Sequence, residues 1–360
     1  MKKRIRIKDI AKRAGVSTGT VDRVIHKRGN VSKKAEERVL AVMKDLDYEP
    51  NLIASTLAYN RVYRVATLLP DFKDDPYWEQ PKLGVEKAFN VVQYYNLNWE
   101  AYFFDIFDTK GFRKKAKALL ASAPDALLLA PVFLEQSREL IESCRAAGIP
   151  VVKINTNIEE DHSLCYVGQD SYQSGVLAGK LLHFGLKGGE SVMIINLDKE
   201  TTRAQHLIDK EEGFRDFFSL NFGSDIRVVK REFAAFEDRV QLRAFMLDQF
   251  RQLPDLSGIF VTNSRAYKML DSLGDAWPGH LKLVGFDLLE PNLQYLREDR
   301  LSFLINQNPV QQGYQGIMNL TNHLLMKKEV EPMQYLPLDI VVRENYAYYL
   351  KREAEFQLVV

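Results

Sequence analysis

Between residues 64 and 345, short apolar runs alternate with amphipathic helical stretches, and this alternation restricts the possible folds severely. The helical stretches lie at 81–95, 110–122, 135–147, 172–185, 204–220, 238–250 and 264–273. The apolar runs lie at 65–69, 102–104, 126–130, 151–154, 191–195, 258–261 and 282–286. Apolar strands separated by helices are typical of parallel sheets buried on both faces. A body of about 280 residues exceeds one comfortable doubly wound sheet, so the pattern predicts two lobes.

The first sixty residues differ from this body in charge. They contain 14 Lys and Arg against 7 Asp and Glu, a net charge of +7, whereas the rest of the chain carries −6. The total of +1 therefore hides a basic segment attached to a mildly acidic body. Taken alone, this asymmetry fits either a solvated basic tail or a module that binds a polyanion.

Three short amphipathic helices are predicted within the basic segment. The first covers 7–14 and is interrupted by Gly15. Ser17 is a suitable N-cap for a second helix that runs to about residue 25 or 26. Ser32 is placed to cap a third helix, which carries its own apolar face.

The spacing of Ala11, Gly15 and Val21 matches the needs of a helix-turn-helix. That motif requires a small residue where the helices cross, a glycine where the turn takes positive φ, and a branched apolar residue in the second helix. The triplet alone is common among helical proteins. Combined with a net charge of +10 over residues 1–34, it predicts a DNA-binding unit.

The exposed face of the second helix is expected to enter the major groove. Arg23 can bind guanine O6 and N7, and Thr18 can contact a thymine methyl group or a phosphate. Asp22 can accept from cytosine N4 or orient Arg23; the alternative is that these residues form only a solvated helix surface. The predicted DNA-contacting residues of this domain are Ser17, Thr18, Gly19, Thr20, Asp22, Arg23, His26 and Asn30.

The sequence over 7–25, Val31-Ser32 and 46–58 resembles the N-terminal signature of the lactose-repressor/galactose-repressor (LacI/GalR) family of bacterial transcription factors. This resemblance implies a helix-turn-helix domain, a hinge helix that orders on operator DNA, and a two-lobed periplasmic-binding-protein-like sensor. It also implies that Leu57 wedges between base pairs in the minor groove and that Ala54 lies beside it.

Two residues depart from the family pattern. Arg6 stands where the family usually has a capping Ser or Thr, and Asp22 stands where it usually has Ser. Residues 50–60 carry no charge and are too few to form a stable isolated helix, so this segment is expected to fold on binding. Leu57 would then be the apolar wedge, the alternative being an ordinary linker.

Polar residues that follow the predicted strands form a candidate ligand site, because ligands of open α/β sheets bind at the carboxyl ends of strands. Carboxylates and amides bind hydroxyl groups, and aromatic rings cover the apolar faces of sugars. Helix capping and turn formation are the alternative roles. The predicted ligand-binding residues are Asp75, Tyr77, Trp78, Asp105, Asn155, Asp170, Arg203, Asn263, Asp287 and Gln307.

The family resemblance assigns ligand contacts to Asp287, Asn263 and Gln307 in particular. Ser264 follows Asn263 where the family often has Asp. An arginine that the family often places before a Gly-aromatic pair falls here in the region of Lys210, with Arg203 further upstream. His206 is a further candidate for the cleft wall.

Several classes of function lack support in the sequence. It contains no nucleophile elbow, phosphate-binding loop or zinc-protease motif, so no catalytic residue and no cofactor is expected. Cys144 and Cys165 match no zinc pattern and are expected to be reduced core residues. No long apolar window and no signal peptide is recognised, so no membrane association and a cytoplasmic location are expected.

We therefore predict an α/β regulator with an N-terminal all-α helix-turn-helix domain and a doubly wound, parallel-sheet sensor. It would bind a pseudo-palindromic operator as a homodimer, under allosteric control by a small, sugar-like molecule between the lobes. The alternatives are a solute-binding transport protein, or a sugar-binding or sugar-modifying protein that carries a helix-turn-helix. The predicted segments are the DNA-binding domain at 1–49, hinge and linker at 50–62, sensor at 63–345 (lobes of about 63–167 plus 305–330, and about 168–304 plus 331–345) and tail at 346–360.

Overall fold

The protein is described from a computed structural model that covers residues 6–25, 29–46, 62–73, 75–159, 161–199, 205–222 and 225–358. The chain divides into two compact units, residues 1–60 and residues 61–360. Each unit has its own hydrophobic core.

The first unit contains three helices, α1 (Ile7–Ala14), α2 (Thr18–Ile25) and α3 (Lys33–Asp45). Their bounds agree closely with the predicted ones. Apolar residues spaced one helical turn apart face a shared centre, which is why each helix buries one stripe. This core consists of Ile10, Ala11, Ala14, Val21, Val24 and Val39.

The turn and the helix starts of this unit follow from short-range hydrogen bonds. Gly15 has φ of +65°, the left-handed conformation expected for the turn. The Oγ of Ser17 accepts a hydrogen bond from the Thr20 backbone N–H at 3.1 Å, as expected for an N-cap. Arg6 supplies no such cap, but its own backbone N–H donates to Asp9 Oδ2 at 2.9 Å. The Ser32 prediction was wrong in one respect, since its side chain makes no capping hydrogen bond.

The second unit is built on two six-stranded sheets. The strands of the chain are β1 (Tyr63–Pro70), β2 (Leu97–Phe104), β3 (Ala126–Leu129), β4 (Val151–Ile154), β5 (Cys165–Gly168), β6 (Ser191–Asn196), β7 (Arg227–Glu232), β8 (Leu256–Val261), β9 (Lys282–Phe286), β10 (Phe303–Asn306), β11 (Met333–Tyr335) and β12 (Asp339–Val341). The strand order is β11-β5-β4-β3-β1-β2 in the first sheet and β12-β10-β9-β8-β6-β7 in the second. All pairs are parallel except the antiparallel pair of β10 and β12.

Helices cover both faces of each sheet, which gives the doubly wound architecture predicted from the alternation of apolar runs and helices. They are α4 (Glu79–Val92), α5 (Thr109–Ser122), α6 (Leu134–Ala146), α7 (Ser171–His183), α8 (Gln205–Phe222), α9 (Arg239–Gln252), α10 (Ala266–Leu273), α11 (Glu290–Arg297), α12 (Pro309–Met326) and α13 (Tyr346–Leu358). We call the first sheet with α4–α6 and α12 the first lobe, and the second sheet with α7–α11 and α13 the second lobe. Within the ranges described, no helix is long and apolar enough to cross a membrane.

Glycines allow two helices of the second lobe to approach closely. A Cβ atom at Gly175 in α7 would lie 2.0 Å from the backbone oxygen of Lys210 in α8. A Cβ atom at Gly213 in α8 would lie 2.0 Å from the backbone oxygen of Tyr172. The close packing of α8 against α7 therefore depends on glycine at these two positions.

The predicted division of the C-terminal region between the lobes needs correction. The segment 331–345 was assigned to the second lobe, but β11 pairs with β5 in the first sheet and only β12 pairs with β10 in the second. β10 itself belongs to the second sheet, so the first lobe does not resume at residue 305. The segment 346–360 was expected to be a tail, yet α13 packs Tyr346, Tyr349 and Leu350 against the second lobe's core.

Candidate ligand-binding cleft and DNA-binding helix

A cleft with a cavity volume of about 50 Å³ lies between the two lobes of the second unit. Its wall combines polar side chains with three aliphatic ones and two aromatic ones. The lining residues are Asp75, Tyr77, Trp78, Ile106, Val132, Asn155, Asp198, His206, Leu207, Lys210, Asn263, Ser264, Arg265 and Gln307.

The first lobe contributes a short aromatic segment directly after β1. Asp75 caps a 3₁₀ turn at Pro76–Trp78, where its Oδ1 accepts the backbone N–H of Tyr77 at 3.2 Å. The rings of Tyr77 and Trp78 meet edge to face at 5.0 Å. Asn155, after β4, donates from Nδ2 to the Tyr77 hydroxyl at 2.8 Å. Burial, with the nearby Asp287, raises the pKa of Tyr77 well above its usual value, so this hydroxyl is neutral.

Asp287 lies behind the second lobe's wall and is not among the lining residues. It is 1% exposed and has φ of +64° directly after β9. Its Oδ2 accepts from Ser264 Oγ and from Gln307 Nε2 at 2.7 Å, and its Oδ1 accepts from the Gln307 backbone N–H at 3.1 Å. Burial raises the pKa of Asp287. The carboxylate therefore fixes the orientation of two lining side chains.

Lys210 is a cleft residue that was not among the predicted ligand-binding residues. Its Nζ donates to Gln307 Oε1 at 3.0 Å and to the Thr262 backbone oxygen at 3.3 Å. The same Nζ lies 3.5 Å from the centre of the Phe286 ring, a cation–π contact. Burial lowers the pKa of Lys210 to about 7. The one sequence signal for Lys210 was its position in the region where the family often has an arginine.

His206 lines the cleft one turn before Lys210 on α8. Its Nδ1 shares a hydrogen bond of 2.7 Å with Thr156 Oγ1 of the first lobe. Burial, together with Lys210 and Arg265, lowers the pKa of His206 well below its usual value. The imidazole is therefore neutral near pH 7, and it connects the two lobes as a polar but uncharged group.

Arg265, which sequence reasoning missed, brings a second cationic side chain into the cleft. Its Nη2 lies 2.6 Å from Asp75 Oδ2, and its Nη1 lies 3.3 Å from Asp198 Oδ1. Nη1 also donates to the Leu197 backbone oxygen at 2.9 Å. The only available sequence signal was its position two residues after Asn263, at the end of β8.

The remaining predicted ligand residues occupy different places. Asn263 lines the cleft and donates from Nδ2 to the Leu197 backbone oxygen at 3.1 Å. Asp105 is exposed and outside the lining; its Oδ1 accepts the Phe107 backbone N–H at 2.7 Å. Asp170 caps α7 and lines a separate hollow. Asp105 therefore stabilises a turn and Asp170 caps a helix. Arg203 lies outside the described residues.

In the first unit, α2 presents Thr18, Gly19 and Arg23 to solvent. Asp22 is half-buried. Ser17 is exposed, and Thr20 is half-buried with its Oγ1 2.9 Å from Ser17 Oγ. Asn30 is exposed in a turn with φ of +53°. His26, Ala54 and Leu57 lie outside the described residues.

Among the described residues, no cluster of His, Cys, Asp and Glu could hold a metal ion. Cys144 and Cys165 are free and buried. Burial raises the pKa of Cys144 to about 12 and that of Cys165 to about 11, so both remain thiols.

Comparison with known proteins relates both units to one family of regulators. Residues 6–51 match the family described as bacterial regulatory proteins, lacI family, and residues 65–329 match the periplasmic binding protein domain. The ribose operon repressor of Halalkalibacterium halodurans is 28% identical over 356 residues, covering 94% of this chain and 96% of the repressor. Catabolite control protein A of Staphylococcus aureus strain Mu50 is 26% identical over 351 residues, covering 94% and 98% of the two chains.

Solved structures agree with this relationship. A crystal structure of a candidate LacI transcriptional regulator from Bacteroides fragilis superposes with a TM-score of 0.75 at 27% identity, covering 80% of this chain and 100% of that chain. The glucose-galactose binding protein GanP of Geobacillus stearothermophilus shares the fold, with a TM-score of 0.68 at 21% identity and coverage of 79% and 99%. The ribose operon repressor and catabolite control protein A are LacI-family transcriptional regulators and not enzymes. The chain belongs to the LacI family of bacterial transcriptional regulators, with a helix-turn-helix domain followed by a periplasmic-binding-protein domain.

Proposed function

We propose that this protein is a repressor that binds a pseudo-palindromic operator as a homodimer. Its affinity for the operator falls or rises when an uncharged monosaccharide binds between the lobes. The observation that carries the proposal is the composition of the cleft wall. Amide and carboxylate groups of Asn155, Asn263 and Gln307 and of Asp75 suit sugar hydroxyls, and Trp78 offers a flat apolar face.

The charges of the cleft favour an uncharged effector. Arg265 is paired with Asp75 and Asp198, and Lys210 lies beside the buried Asp287. Arg265 therefore already faces two carboxylates, and the charge of Lys210 is stabilised by the nearby Asp287 without direct contact. A carboxylate or phosphate on the effector would meet these acidic groups, whereas a hydroxyl can both donate and accept.

The cleft between the closed lobes is small. Its cavity volume of about 50 Å³ is below the roughly 300–1,000 Å³ that is usual for small-molecule sites, so the lobes must separate before an effector enters. The similarity to a ribose operon repressor is consistent with a small sugar as effector.

The proposed DNA contacts involve α2 and the segment 50–62 that follows α3. The exposed Thr18, Gly19 and Arg23 would face base edges in the major groove, with Ser17, Thr20, Asp22, His26 and Asn30 around them. Ala54 and Leu57 would enter the minor groove. A two-fold symmetric dimer requires two half-sites on the DNA. Effector binding between the lobes would change the distance between the two helix-turn-helix domains of the dimer.

A thermal-shift screen of the full chain tests the proposal. The probes are neutral pentoses and hexoses, with the matching sugar acids and sugar phosphates at equal ionic strength. A neutral sugar at 100 times its Kd should stabilise the protein by about 2.7 kcal/mol. The same sugar should change affinity for an operator selected from random duplexes by roughly fivefold or more.

Variants of matched chemistry separate a cleft ligand from nonspecific stabilisation. Asn263→Ala removes a lining amide, and Asn98→Ala removes an exposed amide on β2. The sugar-induced shift should be lost in the first variant and kept in the second. Stabilisation by sugar acids or phosphates alone would contradict the proposed effector class, and equal shifts in both variants would reject the cleft.

A further inference from the structure

An ion pair joins the two lobes inside the cleft. Nη2 of Arg265, from the second lobe, lies 2.6 Å from Oδ2 of Asp75, from the first lobe. The two side chains are 7% and 10% exposed. A charge-assisted hydrogen bond of this length between buried groups is among the stronger polar contacts in a protein.

Each partner is held in position by its own lobe. Asp75 uses its other oxygen to cap the turn at Pro76–Trp78, so its carboxylate orientation does not depend on the second lobe. Arg265 is fixed by the Leu197 backbone oxygen and by Asp198, and its guanidinium lies 4.8 Å from the Phe236 ring centre. The two groups are therefore pre-aligned and meet only when the lobes approach.

Other contacts between the lobes accompany the pair without replacing it. Thr156 and His206 share a neutral hydrogen bond of 2.7 Å. Lys199 lies 4.0 Å from the centre of the Phe107 ring. These contacts lie on the same closing surfaces, so lobe closure forms them together with the ion pair.

We propose that the Asp75–Arg265 pair is a latch that sets the open–closed equilibrium of the sensor before any effector binds. Opening the cleft separates Asp75 from Arg265, which keeps Asp198 as a carboxylate partner within its own lobe. An effector enters while the lobes are apart, and its hydroxyls share Arg265 and Asp75 with the latch when the lobes close. The latch thereby lowers the conformational cost of effector binding.

The latch is tested by measuring the distance between the lobes in solution. Spin labels at Ala118→Cys in α5 and Ala244→Cys in α9 report one exposed site on each lobe. The native cysteines are 0% and 1% exposed and are not expected to react. Distance distributions are recorded by pulsed electron resonance on the full chain, without sugar or DNA, for Asp75→Asn, Arg265→Gln and the double variant.

Arg227→Gln is the matched control, because Arg227 forms an exposed pair with Asp255 within the second lobe. A latch predicts a dominant short distance in the parent protein, a shift to longer distances in both single variants, and no additional shift in the double variant. The control should keep the parent distribution. Unchanged distributions in Asp75→Asn and Arg265→Gln, or an equal shift in Arg227→Gln, would overturn the latch.

The inference rests on the proposed function only for the role of closure in sensing. Because the distances are recorded without sugar, a failed sugar screen leaves the latch result intact. Conversely, unchanged distances between the labelled lobes would not alter the conclusions from the sugar screen and the operator measurement. The two proposals therefore fail separately.

Discussion

Lys210 is an ionisable residue in a position where ionisation is costly. It is 1% exposed, and its pKa is lowered to about 7 by burial. Gln307, Thr262 and the Phe286 ring provide dipoles and a π face but no direct carboxylate contact. The Lys210 side chain therefore gains and loses its proton near neutral pH at the cleft wall.

This shifted pKa makes stability depend on pH in a defined direction. The folded-state pKa of Lys210 is about 7, against roughly 10.4 in an unfolded chain. Between these values the unfolded state binds more protons, so the free energy of unfolding should rise with pH, by up to about 1.4 kcal/mol per pH unit from this group. The Lys210→Met variant should lack this contribution.

Denaturant unfolding at pH 7, 8 and 9 measures the difference between the parent and Lys210→Met. Other groups titrate in both proteins, so their contributions cancel in that difference. Lys187→Met is the control, because Lys187 is exposed. A parent protein that gains no stability over Lys210→Met between pH 7 and 9 would show that Lys210 is not buried in this way.

At the scale of elements, helix α8 combines two functions in one segment. Its packing face contacts α7 through the close approach at Gly175 and Gly213, and its cleft face carries His206 and Lys210. The position of the cleft groups therefore depends on a helix contact in which the two backbones approach closely at these glycines. A substitution remote from the ligand can move the site through the backbone of α8.

We expect Gly175→Ala to impair both stability and sugar binding. The added Cβ would lie 2.0 Å from the Lys210 backbone oxygen, so α8 must shift. Overpacking of this kind costs typically about 1–3 kcal/mol. Gly279→Ala is the matched control, because no atom lies within 4 Å of its added Cβ. Unfolding and sugar titration that are equal in the two variants would exclude this coupling.

The elements themselves were largely predictable, because period and residue type determine most of them locally. β4 and β9 occur at the predicted 151–154 and 282–286, since both are short apolar runs. β7 was not predicted: it is an edge strand with the charged sequence RVVKRE, and only its pairing with β6 defines it. β11 was misassigned because its pairing with β5 is a long-range contact.

The cleft residues at strand ends were predictable from the sequence, and the other cleft residues were less so. Asp75, Tyr77, Asn155, Asn263 and Gln307 follow strands and reach the cleft together, as parallel topology requires. Lys210 belongs to a helix, and the interlobe contact of Arg265 depends on lobe closure, which no local pattern encodes. Asp105 and Asp170 follow the same strand-end rule but satisfy backbone N–H groups instead.

At the scale of the molecule, charge is divided between the two units according to what each is proposed to bind. The first sixty residues carry +7 and the remainder −6. DNA binding through Lys and Arg releases counterions and is therefore strongly dependent on salt. The cleft charges are paired internally, and an uncharged sugar adds none, so sugar binding should be almost independent of salt.

Salt titration of the full chain therefore should separate the two activities. For a dimer with 6–10 phosphate contacts, operator affinity should fall by roughly 10³–10⁵-fold between 50 and 200 mM salt. Sugar affinity measured calorimetrically on the same preparation should change by less than about twofold over that range, because the Debye screening that weakens exposed pairs acts little on buried ones. A sugar affinity that falls in parallel with operator affinity would mean that the effector is charged. A flat operator affinity would mean instead that the basic first unit does not contact phosphates.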